Sequence, residues 1–315
     1  MFAKMKKIES CPICDSSKIK HFITTSAQMH PDKEAFKFDQ CENCKYVFLN
    51  PKVDPNQLEA YYTEYYLPYR GPEAWGKFKK LVDGSFKKLD SRKLNTVKHS
   101  QPLTQDSLVL DIGCGQPSFL KLCQEKEGCR TLGLDFSDNG WRKHNGKYES
   151  LSLQVGEISD LSQNLKPDVI TMWHYLEHDY TPLENLKYLR SISKSTTKLI
   201  IEVPNFDSSS RKKFGQHWAG WHTPRHPSLF SHYNLELLLK KSNWKVEQNL
   251  NYGTMDPYLI YWMSKMEKRG IEWDKNMEKE IVPFITGMIS FLPKRILEKK
   301  LSLGVMTIIA TPIAS

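Results

Sequence analysis

The chain has 315 residues, a quarter of them charged, and a net charge of +9 at neutral pH. A chain of this length can bury a full hydrophobic core, and its mean hydropathy of −0.54 is ordinary for a soluble globular protein, which excludes a disulfide-dependent miniprotein and a disordered tail. No apolar run reaches the roughly 18 residues that span a bilayer, and residues 1–20 have no apolar stretch of the signal-peptide kind, so we expect a cytoplasmic protein.

Four of the seven cysteines stand in two Cys-x-x-Cys pairs near the N-terminus. The pairs are Cys11 with Cys14 and Cys41 with Cys44. Two residues between thiolates let one turn present both sulfurs to a single ion, and two such turns complete a tetrahedral zinc site. In a reducing cytoplasm this spacing favours metal binding over disulfides. Because four thiolates leave no open coordination position, the sequence predicts a structural Zn²⁺ that stabilises a small module over residues 1–66.

Residues 67–100 are predicted to form a basic amphipathic linker helix. From Trp75 onward, apolar residues recur at helical spacing. Between residues 75 and 98, eight Lys and Arg residues face two Asp residues, so this helix carries six of the nine net positive charges. The pattern fits either a solvated helix face or the border of an anionic substrate or membrane surface.

After residue 100, short apolar runs alternate with helical segments. The runs at 107–112, 131–135, 151–155, 168–173, 198–203 and 245–250 read as strands, and 234–243 reads as a helix before the last of them. This alternation is typical of a doubly wound α/β fold with a parallel sheet. Such sheets bind ligands at the carboxyl ends of their strands, so functional residues are expected directly after each run.

The first strand end carries a short glycine loop. Gly113 and Gly115 follow Asp111, and glycines there allow a tight turn and a close approach of a ligand. Asp135 ends the second strand, 24 residues after Asp111, where a carboxylate can hold ribose hydroxyls. A nicotinamide dinucleotide would favour Gly-x-Gly-x-x-Gly, but residue 118 is Ser, which weakens that interpretation.

Residues 107–250 resemble a class I S-adenosylmethionine-dependent methyltransferase domain, and residues 11–66 resemble the zinc-binding segment that precedes such domains in sugar and natural-product methyltransferases. The resemblance implies a Rossmann-like doubly wound seven-stranded sheet, with an antiparallel last strand at 304–312, in a domain over 101–315 that carries an apolar and basic insertion at about 255–300. It also implies the residues that contact S-adenosylmethionine: Asp111, Gly113, Cys114, Gly115, Asp135, Phe136, Glu157, Ile158 and Trp173. Pro117 stands where the family usually has a third glycine, which leaves open a weakened cofactor site.

The fourth strand ends in His174, Glu177 and His178, which the resemblance places between cofactor and substrate. These are candidate catalytic residues, with either histidine as general base or as a residue that orients the loop. Small-RNA and ubiquinone-pathway O-methyltransferases carry the similar pattern Glu-x-x-Glu-His as part of a divalent-metal site. Histidine at the first position argues against Mg²⁺ and leaves a softer ion as an alternative.

The loop at 216–231 is rich in His, Trp and Arg and resembles the Pro-Arg-His loop that lies over the substrate pocket in the zinc-segment methyltransferases. Arg225 is a candidate clamp for a phosphate or carboxylate, and His222 and His226 are alternative bases. Tyr65 and Tyr66 are further candidate substrate contacts. The alternative is a loop that is simply packed by its aromatic residues.

The resemblance implies a methyltransferase that acts on a small-molecule or lipid-linked acceptor of a sugar or glycan pathway, and the positive charge favours an anionic one. The apolar blocks and basic clusters of the C-terminal segment permit peripheral contact with the inner membrane face. An RNA methyltransferase with a zinc module is one alternative, although nucleic acid is disfavoured because the lysines concentrate on one helix and at the C-terminus. A degenerate, non-catalytic binding protein is another.

Overall fold

The computed structural model describes residues 7–142, 144 and 146–314, so the first six residues of the predicted zinc module lie outside the described residues. The strands are β1 (Ile19–Ser26), β2 (Ala35–Cys41), β3 (Val47–Leu49), β4 (Leu108–Ile112), β5 (Arg130–Asp135), β6 (Ser152–Val155), β7 (Val169–Trp173), β8 (Lys198–Pro204), β9 (Ser228–Leu229), β10 (Trp244–Leu250) and β11 (Val305–Pro312). The helices are α1 (Pro55–Leu58), α2 (Leu67–Arg70), α3 (Lys79–Ser100), α4 (Ser118–Glu127), α5 (Pro182–Ile192), α6 (Ser209–Phe214), α7 (His232–Lys241), α8 (Pro257–Arg269) and α9 (Ile281–Arg295).

The large sheet has seven strands in the order β10-β11-β8-β7-β4-β5-β6. Strands β4 to β8 pair in parallel, whereas β11 runs antiparallel to both β8 and β10. The predicted α/β fold is therefore confirmed, and each predicted strand of this sheet begins and ends within one residue of the observed one. The central strand β7 is buried along its whole length, which explains its continuous apolar sequence.

Helices cover both faces of this sheet because neighbouring strand residues point to opposite sides. Val109 of β4 packs in the cluster that includes Leu94 of α3 and Phe119 of α4. The next residue, Leu110, packs in the cluster that includes Leu186 of α5 and Leu235 of α7. The carboxyl ends of the parallel strands are thus left between the two helical layers, where the connecting loops form a site.

The N-terminal segment forms a second, antiparallel sheet that includes a strand from the distant part of the chain. Its order is β1-β2-β3-β9, and Val47 of β3 pairs with Leu229 of β9. Strand β9 lies within the His- and Trp-rich loop at 216–231. The N-terminal module is therefore joined by backbone hydrogen bonds to the loop that was predicted to cover the substrate.

The basic helix begins later than the apolar spacing suggested. A 3₁₀ segment, Gly71–Phe78, breaks at Gly76, where φ is +49°, and the regular helix α3 follows. Leu94 and Val97 are buried against the large domain, whereas Lys87 pairs with Asp83 at 3.2 Å and Lys98 with Glu127 at 2.8 Å. Part of the positive charge is thus neutralised within the protein.

Along the chain, two helices of the C-terminal segment come between β10 and β11. Helix α8 buries Trp262 and Met266 in a cluster that also holds Trp75. Helix α9 buries Ile281 and Phe291 in the same cluster. Among the described residues, no helix is both long and apolar enough to cross a membrane.

Candidate active site and metal centre

The four sulfurs of the two Cys-x-x-Cys pairs meet beside the small sheet. The Sγ atoms of Cys11 and Cys44 lie 3.5 Å apart, as do those of Cys14 and Cys41, and all four lie within 4.8 Å of one another. Four thiolates on a tetrahedral Zn²⁺ would be separated by about 3.8 Å, so these donors fit such an ion. All four cysteines are free of disulfides.

The two cysteine turns are built alike. The amide of Asp15 donates to the carbonyl of Cys11 at 2.9 Å, and the amide of Lys45 donates to the carbonyl of Cys41 at 3.0 Å. Both Asp15 and Lys45 adopt the left-handed conformation, with φ of 61° and 60°. Each turn therefore brings its own two sulfurs to one side, and the sheet places the two turns face to face.

The glycine loop after β4 has the conformation that its residues require. Gly113 and Gly115 have φ of +71° and +48°, in the left-handed region that favours glycine. A Cβ on Gly113 would also overlap the ring of Tyr175, which covers this part of the loop. Pro117 lies directly before α4, at its N-cap, where the missing amide proton removes no helical hydrogen bond. The proline is thus compatible with the tight turn before the helix.

Two aspartates stand at the carboxyl ends of β4 and β5. The buried carboxylate of Asp111 accepts a hydrogen bond from Thr171 Oγ1 at 2.6 Å, and burial raises its pKa to about 7. Asp135 Oδ2 accepts from the amide of Gly115 at 2.8 Å, and burial also raises the pKa of this carboxyl. Asp135 therefore holds the glycine loop, while its other oxygen lies 3.3 Å from the Ser137 amide.

An exposed aromatic ring follows Asp135. Phe136 is 76% exposed, which is unusual for phenylalanine and leaves a free stacking surface beside the ends of β5 and β6. The ring of Tyr62 lies 6.5 Å from it. Glu157 begins the next turn with an exposed side chain, whereas Ile158 is buried in the core. Three of the predicted cofactor contacts thus share one edge of the sheet: Phe136, Glu157 and Ile158.

Lys93 of α3 brings a positive charge to the same strand ends. Its Nζ lies 5.6 Å from the ring centre of Trp173, at the end of β7, and 5.8 Å from that of Phe119. Its charge also acts on the buried carboxyl of Asp111, whose pKa it lowers against the larger effect of burial. Cys114, in the glycine loop, is buried nearby in the cluster that holds Trp173. Lys93 therefore brings a positive charge of α3 close to the glycine loop.

His174 is held between two buried carboxylates. Its Nδ1 lies 3.3 Å from Glu177 Oε1 and its Nε2 lies 3.2 Å from Glu202 Oε1. Burial alone would lower the pKa of His174, but the two carboxylates outweigh burial and raise it to about 9. At neutral pH the ring is therefore a cation with both nitrogens engaged, and it carries no free lone pair.

His178 lies in a different environment, among the histidines of the long loop. Its Nδ1 is 3.0 Å from the carbonyl of Arg225, and since a carbonyl only accepts, Nδ1 carries the proton and Nε2 the lone pair. The ring centres of His178 and His226 are 4.5 Å apart, and His222 Nδ1 lies 3.2 Å from His226 Nε2. Burial lowers the pKa of all three histidines. They are neutral at pH 7.

One oxygen of Glu177 completes this histidine cluster. Glu177 is 1% exposed, and its Oε2 has no hydrogen-bond partner among the described residues. Glu177, His178 and His226 each offer a donor atom within 4.8 Å of the others, so these three residues could hold a metal ion. The third donor comes from His226 on the long loop, whereas His174 of the predicted His-x-x-Glu-His set is bonded through both nitrogens to carboxylates.

Arg225 is buried completely. Its Nη1 and Nη2 each donate at 2.6 Å to backbone carbonyls, those of Tyr61 and Gln28. The guanidinium lies 4.4 Å from the ring centre of Tyr66, which in turn contacts His222 edge-on at 5.5 Å. Two of its donor arms are therefore used within the protein, and Tyr66 stands beside the histidine cluster. Tyr65, by contrast, packs against the C-terminal aromatic cluster, beside Asp274.

Two residues at the site carried no distinguishing signal in the sequence: Lys93 and Tyr62. Lys93 is one of eight basic residues on its helix, and Tyr62 is one of four tyrosines in a run of six residues. Glu202, a third residue of the site, did carry a signal, because an acidic residue between apolar neighbours within strand β8 indicates a buried partner.

The family comparison identifies the large domain. A family model described as a methyltransferase domain matches residues 87–249, just over half of the chain. None of the curated proteins compared with the chain matches it.

Solved structures of similar fold have low sequence identity. A chain of the complex between the Haloferax volcanii Trm112 methyltransferase activator and a methyltransferase is 18% identical, with a TM-score of 0.49, over 74% of this chain and 95% of that one. An S-adenosylmethionine-dependent methyltransferase from Clostridium acetobutylicum is 12% identical, with a TM-score of 0.47, over 75% and 96% of the two chains. With the glycine loop and the strand order in place, the family match shows that the chain belongs to the methyltransferase-domain family and is an S-adenosylmethionine-dependent methyltransferase.

Proposed function

We propose that the enzyme methylates a small-molecule or lipid-linked acceptor of a sugar or glycan pathway, with His178 as the general base. When bound, S-adenosylmethionine supplies a methyl group that is already activated by the sulfonium charge. The tasks left to the protein are to align the acceptor and to take up its proton.

One observation carries this proposal: Tyr62 contacts both sides of the site. Its ring lies 6.5 Å from Phe136, on the predicted cofactor side, and its hydroxyl lies 3.4 Å from His178 Nδ1. The histidine cluster and the cofactor side are thus adjacent, separated by one side chain. An acceptor bound beside Tyr62 would lie between the two.

His178 is favoured as base over His174 because of what each ring nitrogen contacts. His178 keeps its Nε2 lone pair, since its proton is on Nδ1 facing a carbonyl. His174 is a cation between Glu177 and Glu202, so we assign it a positioning role at the end of β7.

The acceptor class is supported by the aromatic side chains at the site and by the resemblance to sugar and natural-product methyltransferases. The rings of Tyr62 and Tyr66 meet edge-on at 5.2 Å beside the histidines, and such faces stack on sugar rings. The phosphate of an anionic acceptor would be attracted by the lysines of α3 rather than by Arg225, whose Nη atoms donate to carbonyls.

We also propose that Cys11, Cys14, Cys41 and Cys44 hold a structural Zn²⁺. The spacing of the four sulfurs and the matching geometry of the two turns support this assignment. A four-thiolate site has no open position for a substrate, so the ion would stabilise the module and take no part in methyl transfer.

Calorimetric titration with S-adenosylmethionine, followed by transfer of a labelled methyl group, tests the proposal. Acceptors would be presented in three groups, namely nucleotide sugars, polyprenyl-linked saccharides and RNA. Labelling of a saccharide in either of the first two groups is expected. Labelling of RNA alone would contradict the acceptor class, and failure of the folded protein to bind the cofactor would contradict the proposed reaction.

Replacing Lys93 with alanine is expected to weaken binding of S-adenosylmethionine by about ten- to hundredfold, the range of a lost charge-assisted hydrogen bond. The reason is that Lys93 is the cation beside the glycine loop, where the cofactor's carboxylate would be bound. Calorimetry measures the affinity. Methylthioadenosine, which lacks the carboxylate, should bind both forms equally.

The exposed Lys88, on the same helix, provides the matched control for Lys93. Lys88→Ala should leave both affinities unchanged. An equal loss of methylthioadenosine affinity in Lys93→Ala would mean that the lysine acts on the shape of the site and does not bind the carboxylate.

Replacing His178 with alanine is expected to lower kcat by about 10²- to 10⁴-fold, as for loss of a general base, with cofactor affinity retained. Because burial lowers the pKa of His178 from its ordinary value of about 6.5, most of the wild-type base should still be neutral at pH 6.5, and the rate should hold down to that pH. His217→Ala, in the 216–231 loop and outside the histidine cluster, is the control. A rate that is unchanged in His178→Ala would rule out this base.

A further inference from the structure

Helix α9 presents an apolar face to the outside of the protein. Val282, Ile289, Leu292 and Ile296 are 63%, 58%, 49% and 83% exposed. Their spacing places them along one side of a helix with 3.6 residues per turn. Residues 281–293 include no charged side chain. The exposed polar residues among them, Thr286 and Ser290, donate their hydroxyl protons to carbonyls of the same helix.

The opposite side of α9 is firmly packed. Phe284 contacts Trp75 at 5.8 Å and Trp262 at 5.2 Å between ring centres, and Phe291 lies 5.4 Å from Tyr258. Phe291 is 4% exposed. The helix is therefore fixed on the protein by its inner face, and its outer face is left uncovered by the described residues.

Basic residues follow this face directly. Residues 281–301 contain four cations, Lys294, Arg295, Lys299 and Lys300, and one anion, Glu298, so the segment has a charge of 4 − 1 = +3. Arg295 pairs with Asp256, and Lys294 lies over the ring of Tyr261 at 5.2 Å. Lys299 and Lys300 are exposed. Exposed apolar area and adjacent cations are the two contributions that bind a helix to an anionic membrane surface.

We infer that the outer face of α9 docks on an anionic lipid bilayer, with the stripe of Val282, Ile289, Leu292 and Ile296 among the headgroups and the following lysines on lipid phosphates. Charge favours a bilayer over a second copy of the chain, since anionic headgroups offer opposite charges to the exposed Lys299 and Lys300, whereas the same face of a second copy offers only the same cations. The inference rests on the surface alone and stands apart from the choice of acceptor.

Co-sedimentation with vesicles tests the inference on the full chain. The protein should bind vesicles made of equal parts phosphatidylglycerol and phosphatidylcholine and should be released by salt. Vesicles of phosphatidylcholine alone should bind it much more weakly. Absence of binding to the anionic vesicles would overturn the inference, and equal binding to both would overturn its electrostatic part.

Two sets of variants separate the apolar and the charged contributions. Ile289→Glu should lower the affinity for anionic vesicles by about tenfold or more, whereas Tyr233→Glu, at an equally exposed site on α7, should not. Lys299→Ala and Lys300→Ala should each cost about fivefold, unlike Lys240→Ala on α7. Unchanged cofactor affinity in each variant shows that the fold is intact, whatever the acceptor.

Light scattering in the absence of lipid tests whether a second copy of the chain binds to the outer face of α9. A monomer is expected at all concentrations used for sedimentation. A dimer that Ile289→Glu converts to a monomer would identify a second copy of the chain as the partner of this face and overturn the membrane assignment.

Discussion

Serine in place of Cys41 is expected to abolish zinc binding and to unfold the N-terminal module. Structural zinc sites of this kind contribute on the order of 10 kcal/mol to the folding of small modules, and a site that has lost one of four thiolates retains little of it. The sheet β1-β2-β3 should then separate from β9. Metal content by mass spectrometry and limited proteolysis of residues 7–66 measure the two effects.

Cys123→Ser is the control for this experiment. Cys123 is as fully buried as Cys41 but lies in α4, outside the four-sulfur group. It should retain one zinc per chain even if the packing of the large domain is weakened. Full zinc content in Cys41→Ser would contradict the four-thiolate site.

Glutamine in place of Glu202 is expected to destabilise the protein by about 3–5 kcal/mol, the usual loss when one partner of a buried ion pair is removed. Glu202 accepts from the amides of Thr254 at 2.6 Å and Met255 at 3.1 Å and from Thr307 Oγ1 at 3.2 Å, besides its contact with His174. A glutamine would turn an NH₂ donor toward these donors. Chemical denaturation at pH 6 measures the difference.

The pH dependence of the difference in unfolding free energy between wild type and Glu202→Gln tests whether His174 is the ion-pair partner of Glu202. The pKa of His174 is raised to about 9, so its stabilisation is fully present below about pH 6.5, its unfolded value, and is lost as pH rises to 9. Burial raises the pKa of Glu202, but the contact with His174 outweighs burial and lowers it, so the stabilisation that Glu202 contributes is present above about pH 4.5. The gap between wild type and Glu202→Gln should therefore be widest near pH 6 and narrow above pH 9.

Glu247→Gln is the matched control on the same sheet. Glu247 pairs with Lys198 at 2.6 Å at the exposed edge, where an ion pair contributes about 0–1 kcal/mol. A pH-independent loss of the same size in both variants would mean that the His174–Glu202 contact contributes no more than a surface pair.

The N-terminal module has a direct structural link to the loop that carries the candidate histidines. Arg225 donates to the carbonyls of Tyr61 and Gln28, and Thr223 Oγ1 lies 2.7 Å from Thr25 Oγ1. The loop that carries His222 and His226 is thus bonded to the module on both sides of Arg225. Loss of zinc should disturb this loop, so Cys41→Ser is expected to lower methyl transfer as well as stability.

Local patterns in the sequence were sufficient for the large sheet and for the candidate zinc ligands, whereas the small sheet β1-β2-β3-β9 was not predicted. The strands of the large sheet could be placed within one residue, most clearly the central ones, which are apolar throughout because they are buried on both faces. The Cys-x-x-Cys turns could be recognised because each is formed by five consecutive residues. The glycine loop and Asp135 likewise follow their strands directly.

The roles of Arg225, His174 and His178 required the tertiary structure. Arg225 was an expected anion clamp, but its two Nη partners lie 164 and 197 residues away, and no local pattern shows that they occupy it. The two histidines are four residues apart and look equivalent in the sequence. His174 is a cation because it contacts Glu202, which is 28 residues away in the chain. His178 keeps a free lone pair on Nε2 because its Nδ1 donates to the carbonyl of Arg225, 47 residues away.

The length, composition and charge of the sequence by themselves determined that the chain can bury a full core and has a net charge of +9, and the residue pattern determined the α/β fold of the large domain. Where those charges act was decided only by packing, because it depends on which side chains the folded helices turn inward. Lys93 of α3 turns toward the glycine loop, Lys98 meets Glu127, and the cations after α9 remain at the surface beside an uncovered apolar face.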